Sequence, residues 1–298
     1  VAHQDKPWHG VIVATALPLD ANLIPDLDRY AAHVGWLAEQ GCAGVVPNGS
    51  LGEYQTLTPD ERRAVVRAAV AAAPAGFTVM PGVAAYGSAE ARRWAEDAAE
   101  AGCAAVMLLP PNAYRADERA VIEHYREVAR VGLPIVAYNN PIDTKVDLTP
   151  TLLARLFHEG LIVAVKEFTG DVRRIYQIAE LAPGLDVLAG SDDVTLELAL
   201  AGAPGWIAGY PNAFPASCVE LFAAAQAGEL PTALPLYRTL HPLLRWDAKT
   251  EFVQAIKLSM DIAGRYGGAC RPPRVALSDE HELIVREATE KALAAGCH

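Results

Sequence analysis

The sequence predicts an α/β protein: a closed (β/α)8 barrel of the TIM type, followed by a C-terminal helical appendage. Three observations carry this. Short apolar runs alternate with longer amphipathic stretches, the order that builds a parallel sheet covered by helices. Eight such units fall between Val11 and about Gly228, at a mean strand-to-strand spacing of roughly 28 residues. After Leu230 the strand signal stops. Eight units favour the closed barrel over an open doubly wound sheet, because closure leaves no strand edge unpaired. Nor does a G-x-G-x-x-G follow the first strand to form the dinucleotide crevice of an open sheet.

In chain order, the strands are expected at residues 11–15, 44–47, 78–82, 105–109, 134–138, 162–166, 186–189 and 206–209. Stretches rich in Ala, Glu and Arg, such as 59–73, 89–101 and 119–131, read as the helices between them. Thr58 before Pro59, with Glu61 three positions on, forms a capping box; Ser88 reads as a simple cap. Gly41, Gly102, Gly132 and Gly160 each stop a helix just before a strand. Residues 232–245, 250–263 and 278–294 read as the tail helices, the last capped by Ser278. Gly267-Gly268 and Pro272-Pro273 split it from its neighbour. This divides the chain into a barrel, 1–228, and a helical region, 229–298.

Of 298 residues, 52% are hydrophobic and 20% charged, which supplies a large core and excludes disorder. A formal net charge of −11 argues against nucleic acid, whose phosphates need clustered Lys and Arg. No apolar run approaches the ~18 residues that span a bilayer. Residues 1–10 carry His3, Asp5, Lys6 and His9 and do not read as a signal peptide; a start at Val1 in place of methionine reads as trimmed. Cys42, Cys103, Cys218, Cys270 and Cys297 include no C-x-x-C pair and read as reduced thiols. A cytoplasmic protein is expected.

Reactive groups in such a barrel stand at the C-terminal ends of the strands. Three segments there are unusual. Pro47-Asn48-Gly49-Ser50-Leu51-Gly52-Glu53 has two glycines three apart, which allow positive φ, so successive N–H groups can converge on a carboxylate. The same segment also reads as an ordinary βα turn. Tyr138-Asn139-Asn140-Pro141 ends strand five, where Tyr138 either passes a proton or packs on the rim. In Val163-Ala164-Val165-Lys166-Glu167, alternation turns the valines and Glu167 to the helix layer and Lys166 into the barrel mouth. A desolvated lysine there loses pKa toward the neutral amine a nucleophile needs, whereas a rim lysine would simply reach solvent. Neighbouring strands lie ~4.8 Å apart, so Tyr138 and Lys166 can meet. A lysine amine, a tyrosine and an anion cradle are the parts for Schiff-base chemistry on a 2-oxo acid.

Gly49-x-x-Gly52-Glu53, Tyr138-Asn139-x-Pro141 and Val165-Lys166-Glu167 resemble, in order and spacing, the dihydrodipicolinate synthase/N-acetylneuraminate lyase family. The likeness runs from about Gly10 to Leu283. It implies a class I aldolase-type enzyme that needs no cofactor or metal, assembled as a homotetramer or homodimer. By that resemblance Lys166 forms the imine with C2 of the substrate and Tyr138 shuttles protons. Gly49, Ser50 and Leu51 would hold the carboxylate, with Ile207 on strand eight in the same binding set. Asp192 and Asp193 fall where sugar-acid lyases place hydroxyl-binding acids, and they also read as acids at a helix start. Some positions depart from the synthases: Ser50-Leu51 replaces Thr-Thr, Asn112 replaces a relay tyrosine (Tyr114 is out of register), and Asp143 replaces a carboxylate-binding arginine.

Within the family, four segments look most like pyrroline-4-hydroxy-2-carboxylate deaminases of hydroxyproline breakdown. They are Tyr138-Asn139-Asn140-Pro141, Val146-Asp147-Leu148-Thr149-Pro150, Asp171-Val172-Arg173-Arg174-Ile175 and Asn212-Ala213-Phe214-Pro215. The expected function is therefore a Schiff-base lyase or deaminase acting on a small 2-oxo or cyclic imino acid. A pyruvate-dependent aldolase or dehydratase is the alternative within that chemistry, and a non-catalytic barrel that binds a small acid is the alternative outside it. A metal enzyme would need carboxylate ligands, since the eight His form no H-x-H or H-x-x-x-H pair.

Overall fold

The structure, a computed structural model, describes residues 6–298; the first five residues of the polar opening segment, including His3 and Asp5, lie outside the described residues. Eight parallel strands form one sheet: β1 Gly10–Ala14, β2 Gly44–Val46, β3 Thr78–Val79, β4 Val106–Leu108, β5 Ile135–Asn139, β6 Ala164–Glu167, β7 Asp186–Ala189 and β8 Gly205–Ala208. Their order is β3-β2-β1-β8-β7-β6-β5-β4, so β8 returns to β1, with Ile12 opposite Ile207. The ends of that series, β3 and β4, meet at a bridge between Gly82 and Met107. There the Val83 amide donates to the Met107 carbonyl and the Met107 amide to the Pro81 carbonyl, each at 3.0 Å. The sheet curls until its edges join. β3 is shorter than the expected 78–82 because Pro81 has no N–H to give, and pairing resumes beyond it.

Helices α1 Leu27–Glu39, α2 Pro59–Ala72, α3 Ser88–Glu100 and α4 Glu118–Ala129 cover the first half of the sheet. The short α5 Pro141–Thr144, then α6 Pro150–His158, α7 Arg174–Leu181, α8 Thr195–Leu200 and α9 Pro215–Gln226 follow. α1 stops at Gly41, whose φ of 90° lies in the left-handed region that an L side chain resists; Gly102, Gly132 and Gly160 stop α3, α4 and α6 in the same way. The capping box of α2 is present: the Glu61 amide donates to the Thr58 hydroxyl at 3.3 Å, and the Thr58 amide to the Glu61 carboxylate at 2.8 Å. Ser88 is not a cap, contrary to expectation. It lies inside α3, Gly87 caps the helix, and the Ser88 hydroxyl instead meets His124 Nδ1 at 3.0 Å. A buried imidazole competes for the hydroxyl better than the exposed helix end does.

The tail forms α10 Leu230–Leu244, α11 Phe252–Ile262 and α12 Asp279–Ala294, the last capped by Ser278 through the His281 amide at 3.2 Å. α10 packs on α9 and α12, and α11 packs on the 3-10 turn Tyr210–Asn212 that follows β8. The turn between α10 and α11 is thereby brought to the C-terminal mouth of the barrel. No described helix is long and apolar enough to cross a membrane.

Candidate active site

A cavity of about 280 Å³ opens at that mouth. It brings together five of the eight residues singled out from the sequence: Gly49, Ser50, Leu51, Tyr138 and Lys166. Tyr138 on β5 and Lys166 on β6 are direct register partners, so one pleat points both into the barrel. The Lys166 ammonium nitrogen lies 4.5 Å from the centre of the Tyr138 ring and 5.5 Å from that of Phe168. Among the described residues it has no carboxylate within 4.0 Å. Burial pushes the Lys166 pKa down, against the opposing pull of the Asp247 and Asp192 carboxyls. Glu167 points the other way. It takes hydrogen bonds from Asn139 Nδ2 at 3.0 Å and the Thr169 amide at 2.8 Å, and so does not pair with its neighbour. Burial pushes the Tyr138 phenol up. Asn140 Nδ2 donates to the Tyr138 hydroxyl at 3.3 Å.

The cradle differs in detail from the glycine argument. The left-handed residues are Asn48 and Glu53, each with φ 55°, and not Gly49 or Gly52. Glycine is needed here for closeness. A Cβ on Gly82 would stand 2.4 Å from the Asn48 carbonyl, and one on Gly52 would stand 3.2 Å from the Thr15 carbonyl. Glu53 tolerates its conformation because both carboxylate oxygens are tied: one to the buried Lys257 ammonium at 2.9 Å, the other to the Arg271 amide at 2.9 Å. Among the described residues the Ser50 and Leu51 amides donate to no main-chain carbonyl. Two free N–H groups that share a cavity with a lysine are able to take an anion.

Asp192, Asp193 and Ile207 do not line the cavity. Asp192 is fully buried, and its oxygens accept from Trp206 Nε1 at 2.9 Å, the Gly209 amide at 3.0 Å and the Tyr210 amide at 3.0 Å. The Gly209 amide also reaches the other oxygen at 3.3 Å, so the acceptor positions of Asp192 are taken up by N–H groups away from the cavity. Burial pushes its pKa up to about 6. Asp193 faces outward between α8 and α10 and accepts from the Ser191 hydroxyl at 2.7 Å. Ile207 is sealed in the sheet. Asn112 and Asp143 do line the cavity, whereas Tyr114 is 62% exposed outside it.

Of the four deaminase-like segments only the first reaches the cavity. Asp147 and Arg174, from the second and third, form a two-pronged ion pair at 2.7 Å. Asn212, from the fourth, is fully buried and joins His33, Ala14, Ala16 and Gly209. Sequence reasoning assigned no role to Asp247, Tyr54 or Arg274, which also line the cavity. Asp247 and Arg274 lie in turns of the helical tail, where no period marks a residue as facing the barrel. The described residues hold no group of three His, Cys, Asp or Glu placed for a metal.

Residues 7–292 match the Dihydrodipicolinate synthetase family. The chain is 33% identical over 287 residues to a 4-hydroxy-tetrahydrodipicolinate synthase from Methanothrix thermoacetophila, covering 95% of this chain and 97% of that one. The synthase of the same name from Alcanivorax borkumensis is 33% identical over 284 residues, covering 93% and 95%. A crystal structure of dihydrodipicolinate synthase from Aquifex aeolicus superposes with a TM-score of 0.90 at 28% identity, covering 95% of this chain and 98% of that one. A Ruminococcus gnavus sialic acid aldolase, at 24% identity and TM-score 0.89, covering 98% of this chain and 99% of that one, shares the fold. With nearly the whole chain matched, this protein belongs to the dihydrodipicolinate synthetase family.

Proposed function

We propose that this protein is a lysine-imine lyase acting on a small 2-oxo or cyclic imino acid, and that its substrate is 1-pyrroline-4-hydroxy-2-carboxylate. The pairing of Tyr138 with a desolvated, unpaired Lys166 beside two free amides carries the reading. Family membership supports the lyase class. In this reading the Ser50 and Leu51 amides, with the Ser50 hydroxyl, hold the carboxylate next to C2. The neutral Lys166 amine attacks C2 of the cyclic imine, the C2–N bond to the ring nitrogen breaks, and Tyr138 carries the proton to that nitrogen. The opened chain bears a C5 amine and a C4 hydroxyl. Loss of the C3 proton and of the hydroxyl as water leaves a C3–C4 double bond, and transfer of a proton from C5 to C3 converts it to an enamine at C4–C5. Hydrolysis at C5 and at the lysine imine releases ammonia and 2,5-dioxopentanoate, with one net water consumed. Asp143 and Asp247 on the wall suit an ammonium and a hydroxyl better than a second carboxylate.

A second reading has a specific observation behind it. The relatives are named as 4-hydroxy-tetrahydrodipicolinate synthases, and Arg274 on the wall offers a cation for the carboxylate of an aldehyde partner. The two are separated by assaying ammonia and dioxopentanoate release from the hydroxypyrroline against condensation of pyruvate with aspartate semialdehyde. We expect the first to be fast and the second poor. Condensation with kcat/KM near ~10⁴ M⁻¹s⁻¹ or above would reverse the assignment. A homotetramer or homodimer belongs to the same reading, and light scattering checks it.

A further inference from the structure

We propose that Asp247 is the acid that protonates the departing C4 hydroxyl, a second proton-transfer group opposite Tyr138; this rests on the imine reading above. Asp247 is held rigidly. It follows Trp246, which is buried with its ring 5.2 Å from that of His281, and its amide donates to the Leu244 carbonyl at 3.1 Å. Its side chain reaches over Gly209, just beyond β8: a Cβ on Gly209 would stand 2.7 Å from Asp247 Oδ1 and would push the carboxyl aside. It shares the cavity with Lys166 and Tyr138, and among the described residues no side chain donates to it.

Beside it, Asp192 is saturated by three N–H groups, the environment that favours a carboxylate. Two carboxyls that meet over Gly209, Asp192 fully buried and Asp247 half-buried, do not both ionise readily, so the negative charge rests on Asp192 and the proton on Asp247. The groups facing Asp247 act in that balance. Burial and the charges of Asp192 and Asp193 raise its pKa well above the usual carboxylate range, and Lys166 and the Asp192 amide oppose them. A neutral carboxyl aimed into the cavity is a proton donor.

In the step assigned to it, the enamine formed after C3 deprotonation pushes its C2–C3 electron pair to C3–C4. The C4–O bond breaks, and the leaving oxygen takes the Asp247 proton and departs as water. The protonated Lys166 imine is regenerated next to a newly formed Asp247 carboxylate, whose charge offsets it. Tyr138, paired with Lys166 on the adjacent strand, receives the C3 proton.

The test uses Asp247→Asn and Asp247→Ala with three probes: pyruvate plus borohydride, 4-hydroxy-1-pyrroline-2-carboxylate, and its 4-fluoro analogue. Fluoride leaves without full protonation, so it bypasses the acid. Both variants should still gain the pyruvate-derived mass on Lys166. Turnover of the hydroxy substrate should fall ~10²- to 10⁴-fold, while that of the fluoro substrate stays within about tenfold of wild type. Equal losses on both substrates, as a merely structural role would give, overturn the proposal, and so does an unchanged hydroxy turnover. Wild-type protein that traps pyruvate yet turns over no 4-hydroxylated substrate overturns it too. Failure of wild type to trap at all would identify the imine reading as the fault and remove this proposal with it.

Discussion

Lys166 is a cation in a place that penalises cations. Its neighbours on the strands are aromatic rings and aliphatic carbons, and the nearest carboxyls stand off from it. Borohydride trapping of pyruvate should therefore rise with pH about a midpoint below the 10.5 of an ordinary lysine, since only the neutral amine attacks. Lys166→Ala should fold and lose activity by several orders of magnitude. Lys166→Arg should be equally inactive, because a guanidinium with a pKa above ~12 stays protonated. Retention of more than a few percent of wild-type turnover in either would refute the imine. Asp192 carries the opposite lesson. An amide at Asp192→Asn would set N–H against the N–H groups of Gly209, Tyr210 and Trp206. Losing one such bond to a charged group costs ~1.5–3 kcal/mol. Denaturant melts should show that loss, and pyruvate trapping and hydroxypyrroline turnover should decline together. A selective effect on the hydroxylated substrate would instead restore a recognition role.

Two elements set the cradle. The turn after β2 is gripped from below by Gly82, beyond β3, and from behind by the Glu53–Lys257 pair on α11. Gly82→Ala would drive a methyl into the Asn48 carbonyl and displace the Ser50 and Leu51 amides. KM for pyruvate-dependent trapping should rise ~10- to 100-fold, and because the clash is with main chain the fold should lose about 1–3 kcal/mol as well. An unchanged KM would mean that the amides do not hold the carboxylate. Helix α2, which follows the cradle, starts at the Thr58 box and is joined through Glu61 to Arg271 at 2.9 Å. Thr58→Ala should destabilise the protein by about 1 kcal/mol, read from denaturant midpoints, and leave trapping intact.

At the scale of the whole molecule, two imidazoles among the described residues are sealed in neutral form: His33 and His124, each pushed down to about 4 chiefly by burial. In the unfolded chain they titrate near the ordinary 6.5. Between those values the unfolded state binds more protons, so stability is full above pH ~6.5 and falls as the pH drops toward 4. Moving from pH 7.5 to 5.5 should cost about 1 kcal/mol per histidine. His124→Gln should reduce that acid-dependent loss by about half relative to wild type, after allowance for its own destabilisation at pH 7.5. An unchanged pH slope would mean that His124 titrates normally.

What the sequence determined by itself was everything governed by local period and local chemistry. Eight strand–helix units, the glycine stops and the Thr58 box follow from patterns a few residues long. So does the inward direction of Lys166, because strand side chains alternate; with strands five and six adjacent, Tyr138 becomes its neighbour. Only the tertiary structure decided which acids face the substrate. Asp192 reads as a site residue until the N–H groups of β8 and of the turn after it are seen to hold its carboxylate away from the cavity. Asp247 reads as part of a surface turn until α10 and α11 pack down and carry it over Gly209 into the cavity. Glu53 and Lys257 meet across a separation of 204 residues. Such pairings depend on how a closed barrel brings distant loops to one mouth, and no period along the chain encodes where two loops will converge.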